Sequence, residues 1–528
     1  MVRTILLAAM AAVFMLAAPG AAQARWLKAE SEKFIVYSDG DEGTLRRYVQ
    51  KLETFDRVLR MYMGLPLDEV PYRKLPIYLV RDYDDLVRAV PDRGRSTAGV
   101  YVPTTEDIFA VAIRTRNQDE ALLHEYAHHF MHQNFAAGYP SWFVEGFAEY
   151  YMTADIDGDR VSVGNYNEGR ASWLVHGDWL DLEDLLAKRP GEVTDDEDRA
   201  TYYPVAWLLT HYFLGDDGRR AQLRTYLNEI GRGGDPVESM EKATGLTIVD
   251  LKRALEGYMR GRIPYQQLTH DFPDAEITLT TLPASADDLL LVGQALKVGV
   301  PDDERAALAQ EVRDLAARHP GDPFARITLA HAELHFGDTA VGEALLEEML
   351  EEDPDNVWAL QLMASGRMRQ AEDVSSFEDY TRLMREARGY LARAFEADDA
   401  NYYTFYQIGQ SRRGAEGYPS DNDIATWELA FTLAPQLSVI RMGLAEAYLI
   451  EERPAAAIAV LRSVANNPHG GGGAEAARQM IERAEEIKAG SAEAPEAPIE
   501  AADPPPDDGS VAEPEGEGDD GAETEDAG

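Results

Sequence analysis

Leu122-Leu123-His124-Glu125-Tyr126-Ala127-His128-His129-Phe130 is followed, after Ala137-Gly138-Tyr139-Pro140, by Ser141-Trp142-Phe143-Val144-Glu145-Gly146-Phe147-Ala148-Glu149-Tyr150. The apolar spacing predicts helices over 118–133 and 144–152, joined by a turn that folds one back on the other. Residues four apart on a helix lie about 40° apart in azimuth and about 6 Å apart along the axis, so His124 and His128 can reach one tetrahedral ion. Glu125 stands on the adjacent edge of that helix, where it can take a proton from a water on the ion. A zinc held by two histidines needs a third protein ligand while keeping a position for water, and Glu145 on the returning helix can supply it. Glu149, one turn on, can accept the remaining ring N–H of a ligand histidine, His124 by position. A pair of glutamates on a helix is otherwise a solvated face, but these two lie among Trp142, Phe143, Phe147, Ala148, Tyr150 and Tyr151, where an unpaired carboxylate is costly. His129 and His132 fall off the ligand face and read as structural, and His211 reads as a core or surface histidine.

Ahead of this pair, strand-like and helix-like segments alternate. Phe34–Tyr37 and Leu75–Val80 read as strands, 45–63 and 84–90 as helices, and Val100–Val102 with Ile108–Ile113 as a hairpin about a polar turn. Behind it, 200–262 is helical, with a break at 231–236. The metal motif thus lies between an α/β lobe and a helical lobe, at the kind of junction where substrates bind.

His124-Glu125-Tyr126-Ala127-His128 with Trp142-Phe143-Val144-Glu145-Gly146-Phe147-Ala148-Glu149-Tyr150 resembles the gluzincin peptidases of the MA clan, most closely the bacterial peptidase-MA-like proteins, and shares Glu-Gly-Phe-Ala with aminopeptidase N relatives. The resemblance covers about residues 26–262. It implies an α+β zincin-like catalytic domain of mixed sheet lobe and helical lobe, one zinc ion per chain, and Glu145 as third ligand. It also implies an edge strand lining a peptide or protein substrate, supplied by 98–102 or 108–113. Family relatives often place a tyrosine in the helical lobe as donor to the oxyanion. Tyr202-Tyr203-Pro204-Val205-Ala206-Trp207 resembles their segment, which assigns that role to Tyr203; a packing aromatic is the alternative. The Gly-x-Met-Glu-Asn segment that captures a substrate amino terminus in the aminopeptidases is absent before His124, which points to an endopeptidase-like cleft.

Beyond Pro283 the pattern becomes amphipathic helices with a repeat. His319-Pro320-Gly321-Asp322 is echoed by Asp353-Pro354-Asp355-Asn356, with the prolines at the 34-residue period of a tetratricopeptide helix pair. Asp398–Asn401 and Ala434–Gln436 begin fainter copies, and 412–423 reads as an insertion between them, giving three repeats and traces of a fourth. An all-α solenoid of this kind offers a surface for a protein partner, or else packs on the catalytic domain.

The ends read differently. Arg3, the apolar run Ile5–Ala18 and Ala22-Gln23-Ala24 read as a secretory signal peptide cleaved after Ala24; the run is shorter than the roughly 20 residues of a spanning anchor. The expected location is periplasmic or secreted, with no membrane span in the mature chain. From about Ser491 the chain is Ala, Pro, Glu, Asp and Gly without a basic or aromatic residue, the composition of a disordered acidic tail. The organisation expected is therefore 1–24 signal peptide, 25–268 metallopeptidase domain, 285–488 helical repeats and 489–528 tail. A net charge of −44 argues against nucleic acid or an anionic membrane surface as partner. With no cysteine in the chain, disulfides and thiolate sites are excluded, so a metal must sit on histidine and carboxylate. Two functions fit: a zinc metallopeptidase whose Glu125 activates water and whose repeats bind protein, or a catalytically silent zinc-domain scaffold whose repeats carry the function.

Overall fold

The computed structural model describes residues 26–91, 98–114, 119–135 and 137–490. The signal peptide and all but the first residues of the acidic tail lie outside the described residues. Within them no helix is long and apolar enough to cross a membrane.

The chain is mostly helical, with a mixed sheet near its N-terminus. Strands β1 (Leu27–Glu30), β2 (Phe34–Ser38), β3 (Leu75–Val80), β4 (Gly99–Pro103), β5 (Ile108–Ile113) and β9 (Thr278–Thr281) form six strands in the order β4-β5-β3-β2-β1-β9. The β2–β3 and β3–β5 pairs are parallel, and the β1–β2, β4–β5 and β1–β9 pairs are antiparallel. Central β3 is buried at every position, as a strand covered on both faces must be. One face packs on α1 (Glu42–Met63) through Leu45, Val49, Leu52, Phe55 and Leu59, the apolar stripe of its 3.6-residue period. The other face, with Tyr78, Val80, Phe109 and Val111, is covered by α2 (Tyr83–Ala89) and by Leu290 and Leu291 of α11 (Ser285–Val298), the first helix of the repeat region.

Helices α3 (Glu120–Asn134) and α4 (Ser141–Tyr151) follow β5 and carry the metal motif. Tyr126, between the two motif histidines, donates its O–H to Asp56 Oδ1 of α1 at 2.6 Å, and Asp56 also receives Arg60 Nε at 2.9 Å. Both Tyr126 and Asp56 are buried, so this bond fixes the rotation of α3 on the sheet. Tyr126→Phe is expected to cost about 1.5–3 kcal/mol, the worth of a buried hydrogen bond to a charged group, read as a lowered urea midpoint at unchanged slope.

A three-stranded sheet of β6 (Asp155–Asp157), β7 (Arg160–Val163) and β8 (Gln266–Thr269) flanks the helical lobe. That lobe comprises α5 (Glu168–His176), α6 (Leu182–Ala187), α7 (Asp196–Leu214), α8 (Asp217–Gly231), α9 (Pro236–Thr244) and α10 (Ile248–Arg260). A Cβ added at Gly146 would lie 2.6 Å from Ala206 O, so only glycine lets α4 cross α7 this closely.

From α11 onward antiparallel helices stack in sequence as a solenoid: α12 (Asp302–Ala316), α13 (Pro323–Phe336), α14 (Thr339–Glu352), α15 (Val357–Asp373), α16 (Phe377–Ala397), α17 (Tyr402–Arg412), α18 (Asp421–Leu433), α19 (Ser438–Ile450), α20 (Pro454–Ala465) and α21 (Gly471–Gly490). Pairing them from α11 gives five hairpins and a final helix among the described residues, more than the three or four read from the prolines. The first pair carries no Pro-Gly signal of its own, and α21 ends at Gly490. The register break also lies elsewhere than 412–423. The helix N-caps Asp322 and Asn356 are 34 residues apart, whereas Asn356 and Asn401 are 45 apart, because α15 and α16 run to 17 and 21 residues.

The array folds back on the N-terminal part at both ends. Arg73 and Lys297 converge on Asp107 in the β4–β5 turn, the latter at 2.7 Å, and Arg73 stacks over Tyr402 of α17 at 5.5 Å. At the far end Asn466 donates from Nδ2 to Gly138 O at 2.9 Å and accepts Ser141 Oγ at 2.7 Å, while Arg462 binds the carbonyls of Gly231 and Arg232. The turn between β4 and β5 therefore rests against α13 and α17, first helices of the second and fourth pairs, and that face of the array is occupied by the chain itself.

Candidate metal centre

Helix α3 projects His124 and His128 from successive turns, and their Nε2 atoms lie 3.0 Å apart. Across from them α4 presents Glu145, whose side chain is fully buried. Its Oε2 is 3.6 Å from His124 Nε2 and 3.5 Å from His128 Nε2. The tight return through Gly138-Tyr139-Pro140 and the Gly146 crossing hold α4 at this depth. Neither oxygen of Glu145 makes an aligned hydrogen bond. A fully buried carboxylate with no aligned hydrogen bond, facing two converging imidazole nitrogens, is the donor set of a divalent cation. The residues fit zinc.

The electrostatics follow from this crowding. Burial acts against the charged form of His124, but Glu145, Glu149 and Glu125 outweigh it and raise its pKa to about 9. Burial opposes the Glu145 carboxylate, yet His128, His469 and His124 together hold it well below the usual range.

Glu125 lies on the side facing the sheet. Its Oε2 accepts the N–H of Tyr101 at 2.7 Å, and its Cγ is 3.2 Å from where a Gly99 side chain would begin. Of the two strands that could have bordered the site, β4 is the one at the sheet edge, and it runs along α3 beside Glu125.

Glu149 is fully buried, with Oε1 at 3.5 Å from His124 Nδ1. Both of its oxygens are held by Arg170 of α5, at 2.9 Å each, in a fork-to-fork pair. The Arg170 guanidinium also stacks on the Tyr203 ring at 4.9 Å. Tyr203 on α7 is half-buried, and burial with the nearby charges of Glu145 and Glu149 raises its phenol, so it stays a hydrogen-bond donor at neutral pH. His129 is buried with Nδ1 at 3.1 Å from the Tyr101 hydroxyl, and burial lowers its pKa to about 3; His132 is lowered to about 3 by burial and by the neighbouring His128 and Arg441. His211 bridges the Tyr258 hydroxyl at 2.9 Å and Gly164 O at 3.0 Å, a structural tie between α7 and the end of β7.

Two site residues escaped the sequence reading. Arg170 carries no motif. His469, between α20 and α21, places Nε2 2.9 Å from Glu145 Oε1, with its ring 5.9 Å from that of His128. A signal for it existed: Asn467-Pro468-His469-Gly470 has the Pro-Gly look of the repeat turns, and glycines 470–473 let the loop approach closely.

The chain matches no family model and no curated protein. Among solved structures it is similar to TTC0263, a thermophilic TPR protein of Thermus thermophilus, at 18% identity over 39% of this chain and 100% of that one, with a TM-score of 0.32. It is also similar to MamA from MSR-1, at 15% identity over 39% of this chain and 98% of that one, with a TM-score of 0.24.

Proposed function

We propose that this chain is a secreted or periplasmic zinc metallopeptidase of gluzincin type, with an endopeptidase-like cleft. The observation that carries the reading is the convergence of His124, His128 and the fully buried Glu145 on one point, with Glu125 beside them on the edge-strand side. His124, His128 and Glu145 would hold the ion, which when bound supplies Lewis acidity toward a water and a peptide carbonyl. Glu125, held by the Tyr101 N–H, accepts the proton of the attacking water and returns it to the leaving amine. The outer edge of β4 pairs with an extended substrate backbone, and Tyr203 donates a hydrogen bond from its phenol to the oxyanion. Arg170 fixes Glu149, and Glu149 in turn orients His124 through Nδ1.

The scaffold alternative gives the repeats the leading role. The β4–β5 turn on the first-helix face limits it, since a protein partner of the array must then use another surface. No structural zinc site needs a glutamate in the position of Glu125.

Arg170→Gln removes the clamp on Glu149 without touching a ligand. It is expected to lower zinc affinity by about 10–100-fold, measured by competition with a chromophoric chelator. The function itself is tested by incubating the purified chain with an unbiased peptide library and reading cleavage by mass spectrometry. Internal cuts that vanish with chelator and return with zinc support the peptidase; an intact library with zinc bound supports the scaffold.

A further inference from the structure

A second group of metal-type side chains lies where the β4–β5 turn meets the array. Glu106 in that turn faces His331 and His335, which stand one helical turn apart on α13. His331 Nε2 is 3.0 Å from Glu106 Oε2, His335 Nε2 is 3.7 Å from Glu106 Oε1, and the two rings cross edge-to-face at 5.0 Å. His331 is 3% exposed. Glu106 Oε2 and both Nε2 atoms are buried, and none makes an aligned hydrogen bond. Three buried polar atoms converge here with one close contact, His331 to Glu106, and no aligned hydrogen bond among them, an arrangement that a shared cation would satisfy.

We propose that Glu106, His331 and His335 form a second divalent-metal site, of the zinc class, that fastens the β4–β5 hairpin to the repeat array. Two imidazoles and one carboxylate are zinc-type donors and fill three of the four positions of a tetrahedral site, with the fourth left to water. No acidic side chain comparable to Glu125 stands beside it: neighbouring Asp107 is taken up by Lys297 and Arg73, and Glu333 by Arg313. The site is therefore structural. It anchors the turn that follows edge strand β4, so it connects the array to the strand bordering the first site. The inference stands apart from the peptidase reading, because it uses none of the same residues.

The test is the zinc content of the purified full chain, loaded with zinc alone, dialysed against a weak chelator and measured by mass spectrometry. Wild type is expected to keep two equivalents, and His331→Gln/His335→Gln and His124→Gln/His128→Gln one each. Glu106→Gln keeps the shape of the turn and guards against misfolding of the double variant; it too is expected to lose one equivalent. Wild type holding one equivalent that Glu106→Gln and His331→Gln/His335→Gln both retain would overturn the site, and would mean that His331 and Glu106 are simply an ion pair. A single equivalent lost only in these variants would uphold this site and remove the first.

Discussion

Glu125→Gln is expected to abolish peptide hydrolysis while leaving the zinc content unchanged. The amide keeps the size of the side chain and can remain against the Tyr101 N–H, but it cannot accept a proton. Loss of a general base costs about 10²–10⁴-fold in turnover. Glu125 is not among the three residues whose donor atoms converge, so the variant is expected to retain the metal that the proposal places there. Activity assays with parallel metal analysis check it. Equal loss of zinc and activity would make Glu125 a structural residue.

Glu145→Gln acts on binding instead. In the free protein this carboxylate is the counter-charge for His124, His128 and His469, and with zinc it is the only anionic ligand of the three. The variant is expected to lose zinc affinity by more than the roughly 10–100-fold that loss of an outer partner costs. An ion present at 100 times its dissociation constant stabilises the fold by about 2.7 kcal/mol, and the variant should show correspondingly less zinc-induced rise in melting temperature. Thermal unfolding with and without buffered zinc reads this directly, and a full zinc response in Glu145→Gln would remove it as a ligand.

Local patterns were the legible part of this chain. Helix α1 follows from apolar spacing because it buries one stripe against the sheet, whereas α4 is buried at every position and is marked by its near-continuous apolar run. The site residues legible in advance were those within one short stretch, where a four-residue interval and a turn fix their approach. Arg170 and His469 were hidden because tertiary folding brings them in, His469 from more than 300 residues along the chain. Glu106, His331 and His335 were hidden for the same reason: His331-Ala332-Glu333-Leu334-His335 reads as an ordinary amphipathic turn until the hairpin arrives. Strand β9, Thr278-Leu279-Thr280-Thr281, is too short and polar to announce itself and exists through pairing with β1. The extra length of the α15–α16 pair is hidden in the sequence because it extends two helices rather than opening a loop between them.

The repeats read either as a surface for a protein partner or as packing on the N-terminal part, and the second is what the contacts display: α13 and α17 hold the β4–β5 turn, and the loop after α20 reaches Glu145. Substitutions in the array should therefore be judged by their effect on the candidate metal centre as well.

Zinc anomalous difference density from crystals of the zinc-loaded chain is the decisive measurement for the metal centre. A peak is expected among His124 Nε2, His128 Nε2 and Glu145, at about 2.0–2.2 Å from each, with Glu125 outside the coordination sphere. A flat map at that position in a crystal grown with excess zinc would mean that these three residues do not hold the ion, and the peptidase reading would fall with them.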